Sequence, residues 1–372
     1  MLVSMPNFEY IDTIDALNVF CDAIKSSSWL ALDTEFMREK TYYPQLCLLQ
    51  VSNGEHIACI DPIALSIDAL KPLMDIIYDP SITKIFHAAS QDLEIFAMLR
   101  ETLPMPLFDT QTAAALLGQG NQIGYAALIQ NMCDVELDKS HSRTDWLRRP
   151  LSEAQLTYAA DDVRYLGQAY LLLLDALEEQ GRSDWLNDDF VQLANADKYR
   201  ADPKTCWQQL RGIDKIASQH LAVAQTLAEW RELQAQKSDR PKRWILADDI
   251  VLALACEAPT DHDGLLAAGL PAKANDRFGS ELLVRIRQAK SLAKEQWPTR
   301  ASFEKPTAEQ RTLIKSLMTR LQEIAEQHQI DPGLLATRKI VQKLVQGERD
   351  LPLLTGWRNN IAGETLLGII NA

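Results

Sequence analysis

The chain has 372 residues, 47% of them hydrophobic, which suits two or three soluble globular domains. No apolar run approaches the ~20 residues that span a bilayer, and residues 1–9 lack the basic start and apolar core of a secretion signal. A net charge of −13 argues against a generic basic nucleic-acid binder, but its distribution softens the objection. Residues 1–200 carry about −16 and residues 201–372 about +3. The six cysteines (21, 47, 59, 133, 206, 256) form no metal-type spacing; their apolar neighbours fit free thiols in a reducing compartment, so the expected location is the cytoplasm.

In chain order, residues 29–36 read as a β-strand, with 45–51 and 56–60 as two more joined at the hairpin signal Ser52-Asn53-Gly54-Glu55. Residues 65–78 have helical spacing, 83–87 form a further short strand, and from Asp92 the pattern is mostly helical, with Ser90 the expected cap. Ser152-Glu153-Ala154-Gln155 has the form of a capping box and predicts one helix over 153–179. After a polar, acidic stretch at 183–204 the chain is helical to its end, with a linker at 297–307. Two helix, proline turn, helix patterns around Pro241 and Pro332 suggest a repeat of roughly ninety residues. The expected domains are 1–200, 203–295 and 300–372.

Asp33 and Glu35 lie one residue apart at the end of the first apolar strand, so their carboxylates face the same way and can share a hard cation. Asp92 opens a helix, where the macrodipole favours it. Tyr158 and Asp162 are four apart on one helix face, whereas neighbouring Asp161 is rotated about 100° from Asp162. This set suits two Mg²⁺ or Mn²⁺ ions acting in phosphodiester hydrolysis. Tyr158, with an ordinary pKa of about 10, is a neutral donor at pH 7. His87 is expected to be a packed, hydrogen-bonded histidine, and Gln45 has a structural role or a nucleotide contact open to it.

Asp-x-Glu, a later Asp, then Tyr-x-x-x-Asp resembles the tyrosine branch of the DEDD 3′→5′ exonucleases. The run from Asp138-Lys139-Ser140 through Arg148-Arg149-Pro150-Leu151-Ser152 is similar to the ribonuclease D family within it. His141 departs from that family's pattern, in which an acidic residue is more usual. The resemblance implies a ribonuclease H-like α/β fold with a mixed sheet. It further implies that Asp33 bridges two metal ions, Glu35 and Asp162 complete the nucleophile side, Asp92 serves the leaving-group side and Tyr158 orients water. Pro241, Ala247-Asp248-Asp249-Ile250, Pro259 and Leu265-Leu266-Ala267-Ala268-Gly269 look like a helical HRDC domain. The stretch from Leu335-Ala336-Thr337-Arg338 to Gly356-Trp357-Arg358 looks like a second.

The resulting expectation is a metal-dependent 3′→5′ exoribonuclease releasing 5′-mononucleotides from tRNA precursors and other small structured RNAs; the sequence leaves the oligomeric state open, with a monomer favoured. Lys139, Arg143, Lys242 and Arg243 are the expected RNA contacts. Trp207, Trp230, Trp244 and Trp357 are expected in the core, with base stacking the rarer alternative. A DNA-directed exonuclease of the same superfamily, or a non-catalytic RNA-binding scaffold, are the alternatives.

Overall fold

The computed structural model describes residues 7–138, 144–299 and 305–371. The chain divides into two compact units. The first comprises residues 1–37, 46–199 and 305–372, and the second comprises 38–45 and 200–304.

A six-stranded sheet organises the first unit. Its strands are β1 (Phe8–Ile11), β2 (Trp29–Met37), β3 (Gln45–Ser52), β4 (Ile57–Ile60), β5 (Thr83–Phe86) and β6 (Leu107–Asp109), in spatial order β1-β4-β3-β2-β5-β6. β3 runs antiparallel to β4, with Leu49 opposite Ile60, while β1 and β4, β2 and β5, and β5 and β6 are parallel pairs. The sheet is thus mixed, as expected. The sequence reading passes over β1 and β6. β1 is an edge strand with only Ile11 buried, and β6 is three residues long, so neither shows an alternating pattern.

Among the described residues up to 199 the sheet is accompanied by helices α1 (Ile14–Ile24), α2 (Pro62–Leu65), α3 (Lys71–Ile77), α4 (Ser90–Arg100), α5 (Thr110–Leu116), α6 (Tyr125–Cys133), α7 (Glu153–Arg164), α8 (Leu166–Glu179) and α9 (Trp185–Leu193). Strand alternation sends Leu30, Leu32, Leu49 and Ile60 into one core with α1, α3 and α4. It sends Ala31, Leu48, Cys59 and Ile85 into the other with α7 and α8. Asp33 and Glu35 continue the Ala31 row, towards α7.

Two helix expectations change. Residues 65–78 are a short α2, a 3₁₀ turn at Asp68–Leu70 and α3, because Ser66 adopts a left-handed φ of 73° and Pro72 opens a new helix. The single helix expected over 153–179 is interrupted at Tyr165. Just past the break, Gly167 lies so close to the Trp29 ring that a Cβ would come within 2.2 Å of it.

The second unit carries α10 (Leu221–Ser238), α11 (Lys242–Ile245), α12 (Asp248–Glu257), α13 (His262–Ala267) and α14 (Ala272–Lys290) around Trp207, Leu227, Trp230, Leu254 and Leu282. The chain closes with α15 (Ala308–Gln327), α16 (Pro332–Leu335), α17 (Arg338–Val345), α18 (Gly356–Arg358) and α19 (Glu364–Asn371).

Residues 305–372 group with the first unit instead of standing alone. Trp357 stacks on Trp185 with parallel rings 4.5 Å apart, Arg182 and Arg358 cover the outer faces, and Arg358 pairs with Asp189 at 2.7 Å. Gly118, at φ +78°, approaches the Gln329 carbonyl so closely that any side chain would collide. Contacts between α9 and α18 therefore tie residues 305–372 to the first unit, while residues 300–304 of the expected linker at 297–307 lie outside the described residues.

The ninety-residue repeat is present in the backbone. Turn hydrogen bonds Arg240→Ala235, Leu246→Lys242 and Val251→Ala247 recur as Ile330→Ala325, Ala336→Pro332 and Val341→Thr337, each pair offset by ninety positions. Among the described residues no helix is long and apolar enough to cross a membrane.

Candidate active site

β2 delivers Asp33 and Glu35, and α7 delivers Asp162, so that one carboxylate oxygen from each lies within 4.8 Å of the others. α7 starts where the sequence places it. Gln155 N donates to Ser152 Oγ at 3.2 Å and Ser152 N donates to Gln155 Oε1 at 2.8 Å, a complete capping box. Tyr158 sits one turn before Asp162, its ring tilted against Trp146 with centroids 6.3 Å apart. Asp161 pairs instead with Arg164 at 2.7 Å, and its carbonyl accepts from Tyr125 Oη at 2.8 Å.

Asp92 lies in the first turn of α4, outside the three-carboxylate group, and is buried. Thr34 Oγ1 donates to its Oδ1 at 2.5 Å. Ser90 is not the cap of α4; it is the first helical residue. The preceding turn, with Ala88 at φ 58°, is held by Asp109, whose carboxylate accepts from Ala88 N and Ala89 N. The same carboxylate caps α5 through Gln111 N and Thr112 N. Thr34 and Asp109 are positioning residues that the sequence reading missed. Asp109-Thr110 before a helix was a legible cap signal; nothing in the sequence marked Thr34.

The segment leading into α7 is fixed from the sheet. Arg149 donates from Nε to Asp61 Oδ2 at 2.5 Å, from Nη2 to Oδ1 at 2.9 Å, and from Nη2 to the Cys47 carbonyl at 2.8 Å. Asp61 also accepts from Tyr10 and caps α2. Burial alone would raise the Asp61 carboxyl, but the Arg149 and Tyr10 hydrogen bonds outweigh it and hold it below the usual carboxylate range. Arg149 is thus a structural cation.

The cluster carries the opposite electrostatics. Burial, then Asp92, Asp162 and Glu35, push Asp33 well above its ordinary value. Burial with Asp162 and Asp92 pushes Glu35 up to about 9. Asp162 rises to about 7 through burial, Asp161 and Asp92, and Asp92 to about 7 through burial. Burial and the same carboxylates raise Tyr158, which stays a neutral phenol at pH 7. Carboxyls crowded this closely fit a site for divalent ions, whose charge would oppose these shifts.

His87 is a packed, hydrogen-bonded histidine, its ring nitrogens 3.0 Å from Thr110 Oγ1 and from the Ile123 carbonyl. In the second unit Lys242 pairs with buried Glu232 at 3.1 Å, and Arg243 is exposed. Lys139, His141 and Arg143 lie outside the described residues. Trp207, Trp230 and Trp357 are buried, but Trp244 is 61% exposed, against expectation.

Residues 8–180 match the family model described as 3′-5′ exonuclease, and residues 220–286 match the HRDC domain. The chain is 35% identical to ribonuclease D of Granulibacter bethesdensis over 98% of this chain and 93% of that one. It is 36% identical to ribonuclease D of Pseudomonas paraeruginosa over the full length of both. Its structure is similar to that of Escherichia coli RNase D, described as an exoribonuclease involved in structured RNA processing, with TM-score 0.87 and 33% identity. That likeness covers 98% of this chain and 99% of that one. A mixed sheet with an acidic cluster at its β2–α7 face, a helical HRDC region, and relatives matched end to end place the chain in one group: it belongs to the ribonuclease D family of 3′→5′ exoribonucleases.

Proposed function

We propose that Asp33, Glu35, Asp92 and Asp162 hold two divalent ions, Mg²⁺ or Mn²⁺, and that the chain trims the 3′ ends of tRNA precursors and other small structured RNAs in the cytoplasm. The observation that carries this reading is the convergence of three carboxylates within 4.8 Å, each raised by burial and by its neighbours. Bound there, such ions supply a water of lowered pKa and neutralise charge developing on the scissile phosphate.

The protein's own groups then divide the work. Asp33, raised by burial and by all three other carboxylates, would help to hold both ions, the role that the family resemblance implies for it. Glu35 and Asp162 would hold the ion that serves the attacking water, and Asp92, held by Thr34, would hold the ion that serves the leaving 3′-oxygen. Tyr158, kept neutral, orients the water through a hydrogen bond and does not deprotonate it. The cytoplasmic placement rests on the six free cysteines.

The test is a 5′-labelled tRNA precursor with a short 3′ extension, incubated with Mg²⁺, Mn²⁺ or EDTA. The expected result is a ladder shortening from the 3′ end with either ion and none in EDTA. Shortening that persists in EDTA removes the metal assignment, and cleavage of a mature tRNA as fast as its precursor removes the substrate assignment.

A further inference from the structure

We propose that Trp244 and Arg243 form a stacking platform for an unpaired nucleotide of the RNA substrate, on the second unit. The inference rests on RNA being the substrate and adds a binding site to it.

Three observations carry it. The first is exposure: Trp244 presents 61% of its surface to solvent, and Arg243 beside it is exposed too. A large aromatic costs solubility when left open, and an exposed indole with an exposed arginine adjacent in sequence is a sequence-tolerant seat for a base and its phosphate.

The second is rigidity. α11, the one-turn helix bearing both residues, is gripped by two adjacent charged residues of α10 that are themselves buried. Glu232, fully buried, pairs with Lys242 at 3.1 Å and accepts from the Tyr42 hydroxyl. Arg231, 5% exposed, donates to the Leu246 carbonyl at 2.9 Å and pairs with Asp248 at 2.6 Å. Buried charges are costly unless paired, and here they fix the backbone on both sides of an exposed indole.

The third is an internal comparison. The ninety-residue offset matches Trp244 to Leu334 and Arg243 to Gly333. Leu334 packs partly buried against the core of the first unit, and Arg231 is matched by the apolar Leu321. The turn itself therefore does not require the indole: in the second copy Arg358 donates to the Leu334 carbonyl at 2.7 Å and the turn carries a partly buried leucine instead. Lys242, committed to Glu232, is a fixed support, so of the two basic residues expected to touch RNA here, Arg243 is the one that would reach phosphate.

The experiment uses the full chain and a labelled single-stranded oligoribonucleotide in EDTA, where turnover is stopped, with anisotropy as readout. Trp244→Leu, the residue the second copy tolerates, is expected to weaken binding about tenfold and Trp244→Phe to retain most of it. Arg243→Ala is expected to weaken binding and reduce the salt slope by about one. In Mg²⁺, Trp244→Leu is expected to raise KM for the oligonucleotide while leaving turnover of a dinucleotide unchanged. Wild-type affinity in Trp244→Leu overturns the platform, as does an equal loss on the dinucleotide. Loss of self-association in place of RNA affinity also overturns it, making the surface a contact between copies. Wild type that binds RNA through Trp244 but does not hydrolyse it leaves the platform standing and removes the metal-site reading.

Discussion

The hydroxyl of Thr34, between the two acids of β2, reaches across to α4 and donates to Asp92 at 2.5 Å. Asp33 and Glu35 point from the strand towards α7, so the strand that supplies two carboxylates also orients a third that belongs to another element. Burial raises Asp92, and the Thr34 bond opposes that rise. Thr34→Val is expected to raise the metal-free Asp92 carboxyl further, so that divalent ions must displace a more firmly held proton and the profile of ion-dependent activity shifts to higher pH. Activity at neutral pH should fall about 10–100-fold, the scale of a lost supporting bond to a metal ligand. Thr34→Ser should restore most of it. A Val variant with an unmoved profile would show that Asp92 needs no such partner.

Asp161 and Asp162 separate by what they touch. Asp162 converges with Asp33 and Glu35, and Asp161 pairs with Arg164. Asp162→Asn should lose more activity than the 10–100-fold of a supporting residue, together with divalent-ion affinity measured by calorimetry. Asp161→Asn should keep most activity, because Asp161 pairs with Arg164 and lies outside the three-carboxylate group. The reverse ranking would move the third motif by one residue.

How much of this was legible depended on the range of the physics involved. The positions of Asp33, Glu35, Tyr158 and Asp162 follow from periods of two and four within single elements, and Ser152 with Gln155 is a local cap. The supporting residues were not legible in that way, because Thr34–Asp92 and Asp61–Arg149 join positions far apart in sequence. The seat of residues 305–372 depends on Trp185 meeting Trp357, a packing event that no local pattern encodes. Trp244 misled for a simpler cause: composition places tryptophan inside on average, and averages do not identify the exposed one.

Stability of the metal-free protein should fall as pH rises. Asp33, Glu35, Asp92 and Asp162 all have folded-state values raised above their unfolded ones, so between about 4 and 9 the native state binds more protons than the unfolded chain. Rising pH through that window therefore favours unfolding at this site. Added Mg²⁺ or Mn²⁺ should raise Tm more at pH 8 than at pH 6, since the ions bind the ionised carboxylates. In the metal-free state at pH 8, Asp162→Asn should melt above wild type while being inactive, because it removes one of the repelling charges. Equal melting temperatures at pH 8, with and without metal, would contradict the cluster's electrostatics.

The Asp61–Arg149 pair predicts a defect of the opposite sign. Asp61 is fully buried and its carboxyl is held below the ordinary range, so its contribution is present above the unfolded pKa of about 4 and is lost as pH falls through the lower folded value. Arg149→Met would leave that charge buried beside Tyr10 and the α2 cap, at a cost of about 3–5 kcal/mol at neutral pH. The damage should extend to catalysis, because the Arg149 segment leads directly into the Ser152 cap of α7, and α7 carries Tyr158 and Asp162. Adding Asp61→Asn to Arg149→Met should recover much of the stability, since no buried charge then remains uncompensated and Asn keeps an acceptor for the α2 backbone. Recovered stability without recovered activity would separate the two roles. It would show that the guanidinium, through its bond to the Cys47 carbonyl, also sets where the third motif sits on the sheet.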